Sequence, residues 1–215
     1  MENALIVERV LNLIVLLLSL TFHEFFHAFT AWKLGDDTAA RMGRLTLNPI
    51  PHIDPIGTLL LPLLNAPIGW AKPVPVNPSR FRPGVKMATG DIMVSAAGPL
   101  SNLLLGLVGA IVLGALARFA PETVARGSGV FEFLQRLMIV NAGLAMFNLL
   151  PIPPLDGSHV AGSLMPYRWR PAWEQFARFA PFLLVGLILF GTSIILPPVR
   201  FVFGLLWMLA ATIAG

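Results

Sequence analysis

Cysteine is absent from this chain, and charged residues are scarce. Without cysteine there can be no disulfide framework and no zinc site built from thiolates. Charged residues make up only 12% of the 215 residues, whereas typical soluble domains contain roughly 25%. Hydrophobic residues reach 56% and the mean hydropathy is +0.76, which excludes a disordered chain. The composition therefore predicts an integral membrane protein, which we expect to form a single domain over residues 1–215.

Five long apolar stretches predict transmembrane helices, because a bilayer core needs about 20 apolar residues in a helix. We expect Pro197 and Pro198 to separate the last two, with one broken helix or a re-entrant pair as the alternative. The predicted fold is an all-α polytopic membrane protein with about five transmembrane helices, six being possible. Its core would cover residues 5–165, followed by C-terminal helices over 172–215. The expected spans are residues 5–33, 88–117, 131–150, 176–196 and 199–214.

The loop after the first span is rich in proline. Nine of the nineteen prolines fall between residues 40 and 86, which excludes a long helix there. Residues 56–64 of this loop are nevertheless apolar. Non-helical apolar backbone at a membrane must be buried in protein or line a watery cavity. We therefore predict a re-entrant or β-hairpin element, with residues 70–76 as a candidate edge strand.

The distribution of lysine and arginine predicts how the helices are oriented. If the loop of residues 34–87 is cytoplasmic, ten of the fifteen basic residues lie on that side and five on the other. This predicts an outside N-terminus and a cytoplasmic C-terminus for a multi-pass protein of the cell (inner or plasma) membrane. The basic residues are scattered rather than gathered in a stripe. Despite the pI of about 10.3, we therefore expect the lipid bilayer as a partner and no nucleic acid.

The run His23-Glu24-Phe25-Phe26-His27 carries the sharpest chemical signal. Residues four apart lie on one helical face, so His23 and His27 can bind one metal ion while Glu24 reaches a metal-bound water. This is the H-E-x-x-H arrangement, in which two histidines hold zinc and the glutamate is the general base. The pattern also occurs by chance, but here it lies in an apolar span, where a charged group costs about 2.5–3.5 kcal/mol. We therefore interpret it as a metal site.

Asp156 is the best candidate for a third metal ligand, since catalytic zinc usually has three protein ligands. It follows the third span, and the predicted orientation places it at the same depth as residues 23–27. The alternative for Asp156 is a helix N-cap or an Asp-Gly turn. His159, one turn later, is a spare ligand or a capping or surface residue. His52 and Asp54 could contact the site from the loop or form a polar turn.

Together these motifs resemble the site-2 protease family of intramembrane zinc metalloproteases. The resemblance is to a small prokaryotic member without a PDZ-like or nucleotide-binding regulatory domain. It rests on residues 23–27, 98–102 and 148–157 and covers about residues 15–165.

The resemblance implies a set of functional residues and one Zn²⁺ per chain. Glu24 would activate the zinc-bound water. Asn102 and Asn148 would be catalytic polar groups that donate hydrogen bonds to the oxyanion or the substrate backbone, although each could instead make an interhelical hydrogen bond. The implied metal ligands are His23, His27 and Asp156.

The implied function is hydrolysis of peptide bonds within or next to transmembrane segments, with a transmembrane protein or peptide as substrate. A membrane metal-ion transporter is the main alternative, because intramembrane histidine and glutamate also mark ion pathways. Transporters commonly have a second metal motif or repeated halves, and the sequence shows neither. A third interpretation is a proteolytically inactive zinc-binding membrane scaffold, against which the intact Glu24 argues.

Overall fold

The computed structural model describes residues 2–64 and 69–215, with side chains from residue 6 onward. Five helices are long and apolar enough to cross a membrane, and the described residues contain no β-strand. This confirms the predicted all-α polytopic fold. The helices are α1 (Glu2–Lys33), α2 (Thr38–Arg41), α3 (Leu61–Leu63), α4 (Met87–Phe119), α5 (Gly129–Asn148), α6 (Asp156–Leu164), α7 (Arg170–Phe190) and α8 (Thr192–Ala214). Short 3₁₀ or π turns cover Ile50–His52, Pro55–Leu60, Pro78–Arg80, Pro121–Val124 and Tyr167–Trp169.

Helix α4 lies at the centre of the fold, where it packs against α1, α5, α6 and α8. Small residues on α4 let α8 approach closely, since a Cβ atom on Gly114 would lie 2.6 Å from the carbonyl oxygen of Ala210. Leu113, Met138 and Leu206 form a buried cluster around this contact. Lipid tails are as apolar as these side chains, so close packing rather than escape from water holds such helices together. The packing fixes α4 against α1 and α5, the helices that carry most of the site.

The last two long helices meet at Gly191, and the prediction that Pro197 and Pro198 separate them is wrong. The Gly191 N–H donates to the carbonyl of Leu187 at 2.8 Å and ends α7. The Gly191 carbonyl then accepts from the N–H groups that start α8. Both prolines lie in the second turn of α8, which continues through them. Membrane helices tolerate proline because neighbouring groups and small backbone adjustments satisfy the freed carbonyls.

The proline-rich loop doubles back on itself, as the re-entrant alternative predicts, but the predicted β-hairpin and the edge strand over residues 70–76 are wrong, because the described residues contain no strand. Asp54 caps a helical stretch over residues 55–63, its Oδ1 accepting from the N–H groups of Ile56 (3.0 Å) and Gly57 (2.7 Å). The apolar run that we expected to be non-helical is therefore largely helical, because this cap satisfies the free N–H groups at its start. The chain then returns over residues 69–77, which we call the return segment.

Hydrogen bonds hold the return segment beside the start of the loop. The Trp70 N–H donates to the carbonyl of Gly57 at 3.2 Å, and the Lys72 N–H donates to the carbonyl of His52 at 2.9 Å. The Thr58 hydroxyl donates to the carbonyl of Trp70 at 2.8 Å. These bonds do not continue into a ladder, because Pro73 and Pro75 have no backbone N–H to donate.

Candidate metal centre and active site

Two histidines of α1 and one aspartate of α6 converge to form a candidate metal centre. His23 and His27 lie one helical turn apart, and their Nε2 atoms are 3.0 Å from each other. The carboxylate of Asp156 faces both rings, with Oδ2 3.1 Å from Nε2 of His23 and Oδ1 3.3 Å from Nε2 of His27. The three ligand atoms all lie within 4.8 Å of one another. The structure therefore brings together the three predicted ligands.

Asp156 is directed toward the histidines because the chain folds back tightly after α5. The N-cap position of α6 belongs to Leu155, so Asp156 is the first helical residue rather than the cap. Gly157 permits this turn, since a Cβ atom there would lie 2.5 Å from the carbonyl oxygen of Leu150. A carboxylate binds a metal in its ionised form, and this turn places the Asp156 carboxylate against both rings.

Hydrogen bonds from behind orient both imidazole rings. Nδ1 of His27 lies 2.7 Å from the carbonyl oxygen of Val94, which can only accept, so this nitrogen carries a proton. Nδ1 of His23 lies 2.7 Å from Oδ1 of Asn102. A ring nitrogen that donates in this way leaves the other nitrogen free to bind a metal.

The Asn102 side chain is held in one orientation by a buried polar network. Its amide group donates to the carbonyl of Ser19 at 3.2 Å and to Oδ1 of Asn141 at 2.8 Å. The Asn141 amide in turn donates to the Ser19 hydroxyl at 2.8 Å and to the Leu137 carbonyl at 2.8 Å. With both amide hydrogens used, the Asn102 oxygen is the atom that accepts from His23. Both histidines therefore use Nδ1 for these bonds and turn Nε2, the nitrogen that a metal would bind, toward the carboxylate.

This donor set fits a zinc ion. Zinc binds histidine nitrogen and carboxylate oxygen at about 2.0–2.2 Å in tetrahedral geometry, which places neighbouring ligand atoms roughly 3.3 Å apart. The observed separations of 3.0, 3.1 and 3.3 Å are close to that spacing. Oδ2 of Asp156 is also buried with no hydrogen-bond partner among the described residues, and a cation would satisfy it.

The candidate centre opens into a cavity of about 640 Å³. Its wall is formed by α1, α4, α5, α6 and α7 together with the return segment, and it is mostly apolar. A cavity with apolar walls and a few convergent polar groups is the usual form of a binding site, and this one suits an apolar peptide. Residues that represent these elements in the wall are Leu20, Val94, Phe147, Leu184 and Trp70.

Glu24 lies beside the ligands and lines the same cavity. Its side chain is buried, with the residue only 8% exposed. Oε2 accepts a hydrogen bond of 2.8 Å from the backbone N–H of Val74 in the return segment. For the other oxygen, Oε1, the structure shows no hydrogen-bond partner among the described residues. The carboxylate is thus fixed at one oxygen and has the other available.

The two asparagines singled out in the sequence occupy different places. Asn102 is fully buried behind His23, and its amide makes the interhelical hydrogen bonds that were its alternative role. Asn148 lines the cavity, and its amide donates to the Leu144 carbonyl at 3.0 Å. Only Asn148 therefore lies where a substrate could contact it.

The remaining candidates lie outside the candidate centre. His52 is buried within the loop and its Nε2 contacts the carbonyl of Thr46 at 2.9 Å, while Asp54 is the cap described above. Both residues shape the loop, as the polar-turn alternative expected. His159 lines the cavity, but its side chain is 58% exposed and its Nδ1 lies 3.8 Å from Oδ1 of Asp91.

Most of the chain is similar in sequence to known proteins that carry related names. The family model described as "Peptidase family M50" matches residues 117–191, a stretch that includes Asn148 and Asp156. The protein named "Putative zinc metalloprotease YwhC" of Bacillus subtilis is 42% identical over 182 residues, covering 84% of this chain and 80% of its own length. "Putative zinc metalloprotease Rip2" of Mycolicibacterium smegmatis is 38% identical over 154 residues, covering 70% of this chain and 54% of its own length. No solved structure gives a significant match.

Proposed function

Because the chain belongs to peptidase family M50, we propose that it is an intramembrane zinc metalloprotease that hydrolyses peptide bonds within or next to transmembrane segments of other membrane proteins. One observation carries this proposal. His23, His27 and Asp156 converge beside Glu24 in the wall of an apolar cavity within a helical membrane protein. Metal ligands, a carboxylate base and room for an apolar peptide are what such a reaction needs.

The proposed mechanism assigns one task to each group. When bound, zinc would supply a Lewis acid that polarises the peptide carbonyl and lowers the pKa of water. His23, His27 and Asp156 would hold the ion, the histidines through Nε2, while Val94 and Asn102 keep the two rings in place through Nδ1. Glu24 accepts a proton from the attacking water at Oε1 and returns it to the leaving amine.

Asn148 is the group that we propose to contact the substrate. It lines the cavity at the end of α5, close in sequence to the loop that delivers Asp156. A polar side chain there can hydrogen-bond to the peptide backbone while the apolar wall accepts the side chains. Because a transmembrane helix hides its peptide bonds in its own hydrogen bonds, part of the substrate must unwind before it can be cut.

Two substitutions separate the metal from the base. Glu24→Gln should retain about one zinc per chain and lower cleavage by about a hundredfold or more, since general-base catalysis contributes about 10²–10⁴-fold. Asp156→Ala should lose most of the zinc as well. Zinc is measured by metal analysis of detergent-purified protein. Cleavage is measured by sequencing new peptide amino termini in membranes of cells that express the wild type or Glu24→Gln.

The alternatives predict other results in the same experiment. Metal flux into proteoliposomes that survives Glu24→Gln would favour a transporter. A wild type that holds zinc but produces no amino termini beyond those seen with Glu24→Gln would favour an inactive scaffold. Equal zinc in the wild type and Asp156→Ala would remove this aspartate from the ligand set.

The orientation of the helices is a further part of the proposal. The excess of lysine and arginine in the loop of residues 34–87 supports a cytoplasmic loop, with the candidate centre toward the cytoplasm. The chain contains no cysteine, so single cysteines can report the sidedness of exposed positions. In intact cells, Arg126→Cys should react with a membrane-impermeant maleimide, whereas Ser79→Cys should react only after the membrane is opened. The reverse pattern would invert the orientation.

A further inference from the structure

The contact between Glu24 and the return segment joins two parts of the chain that are 50 residues apart. A glutamate side chain has several rotatable bonds, so its carboxylate needs an external contact to stay in one place. The 2.8 Å bond from the Val74 N–H to Oε2 is a charge-assisted hydrogen bond, the stronger class of such bonds. It is supplied by backbone, whose position depends on the whole segment rather than on a side-chain rotamer.

The return segment is anchored on both sides of Val74. On one side, the Lys72 N–H donates to the His52 carbonyl at 2.9 Å, and the Arg44 guanidinium donates to the Lys72 carbonyl at 2.5 Å. On the other side, the Asn77 N–H donates to Oδ2 of the buried Asp36 at 2.6 Å. Val74 is thus held near the middle of a segment that is fixed at both ends.

The prolines around Val74 make its N–H distinctive. Pro73 and Pro75 have no backbone N–H, so Val74 provides the sole backbone donor of residues 73–75. Proline also fixes its own φ angle and restricts the preceding residue, which stiffens the chain here. The segment therefore presents one donor, from stiff backbone, to the carboxylate that lies beside the candidate metal ligands.

We propose that the backbone N–H of Val74 is a positioning group for Glu24. By holding Oε2, it keeps Oε1 directed into the cavity, where the attacking water gives up its proton. This inference rests on the proposed protease function for its catalytic meaning. The contact itself can be tested without any cleavage.

Amide hydrogen exchange tests the contact. In zinc-loaded protein in detergent, exchange at the Val74 amide is followed by mass spectrometry, where residues 73–75 contribute no other exchangeable amide. Removal of the acceptor by Glu24→Ala should speed this exchange by about tenfold or more, since a hydrogen bond to a charged group is worth about 1.5–3 kcal/mol. The Lys72 amide, bonded to His52, is the internal control and should not change. Equal exchange at Val74 in both proteins would overturn the proposal.

Kinetics test the role of the contact. The probe is a fluorogenic single-span peptide of leucine and alanine with a central Gly-Pro pair, in detergent micelles. Val74→Pro removes the N–H and should lower kcat by about tenfold or more, with KM and zinc content near the wild-type values. The matched control is Val76→Pro, which changes the same wall of the cavity and removes an N–H with no hydrogen-bond partner among the described residues, so that its kcat should fall much less than that of Val74→Pro.

Each other outcome has a definite meaning. An unchanged or higher kcat in Val74→Pro would overturn the proposal, and a higher kcat would mark the contact as a restraint on the enzyme. Equal losses in both proline variants would also overturn it, because the loop rather than the bond would be responsible. If Val74→Pro loses zinc, Val74 is replaced by its α-hydroxy acid, which removes only the N–H. A lower kcat in that protein supports the proposal, and an unchanged kcat overturns it. A wild type that does not cleave the probe counts against the protease function. In that case hydrogen exchange still tests whether the Val74 N–H is bonded to Glu24.

Discussion

Replacement of Gly98 by alanine is expected to remove the bound zinc and all cleavage with it. Gly98 of α4 faces the two imidazole rings directly. A Cβ atom at this position would lie 2.6 Å from Cε1 of His23 and closer still to Nε2 of His27. The rings cannot turn away, because their Nδ1 atoms are held by Asn102 and Val94. One methyl group therefore overlaps the atoms that would bind the metal.

The helix itself should tolerate the Gly98→Ala substitution. Alanine favours a helix over glycine by about 1 kcal/mol, so circular dichroism should report unchanged helix content. Gly143→Ala is the matched control, since a Cβ atom at that α5 position meets nothing within 4 Å. Zinc per chain and cleavage should stay at wild-type values in the control and vanish in Gly98→Ala. Zinc near stoichiometry in Gly98→Ala would contradict the close packing of α4 on the histidines.

The core of the candidate centre could be predicted because its geometry is local. Residues 23 and 27 share a helical face for any helix of 3.6 residues per turn, so spacing alone placed the two histidines together. The transmembrane helices could be predicted equally well from the sequence, because the length and hydropathy of a segment determine whether it can span a bilayer. The prediction that Asp156 lies near the histidines requires one more step. Two spans that cross the membrane in the same direction bring their ends to the same depth.

The rest of the site depends on backbone atoms, which sequence identity does not reveal. The Val94 carbonyl and the Val74 N–H are groups that any residue would offer, so nothing about valine marks them. The role of Asn102 was ambiguous for a different reason. An asparagine in an apolar span needs a partner, but only the packed structure shows that the partner is His23 rather than a substrate. The end of α7 at Gly191, ahead of the two prolines, likewise rests on backbone hydrogen bonds.

The last prediction concerns the polar network behind His23. We expect Asn102→Leu to weaken both zinc binding and the stability of the fold. The substitution removes the acceptor for Nδ1 of His23 and leaves the Ser19 carbonyl and the Asn141 oxygen without their donor. Each buried polar group left unpaired costs about 1–3 kcal/mol. His23 is then free to change its tautomer or rotate. Loss of such an outer partner typically lowers metal affinity by about 10–100-fold.

Asn141→Leu distinguishes support of the metal from support of the fold. It breaks the same network, but Asn141 contacts Asn102 and Ser19 and makes no hydrogen bond to His23 among the described residues. Both variants should unfold at lower temperature in detergent. Only Asn102→Leu should release zinc to a weaker competing chelator. If the two variants lose zinc affinity equally, the network acts through general packing of α1, α4 and α5, and the hydrogen bond to Nδ1 has no separate effect on the metal.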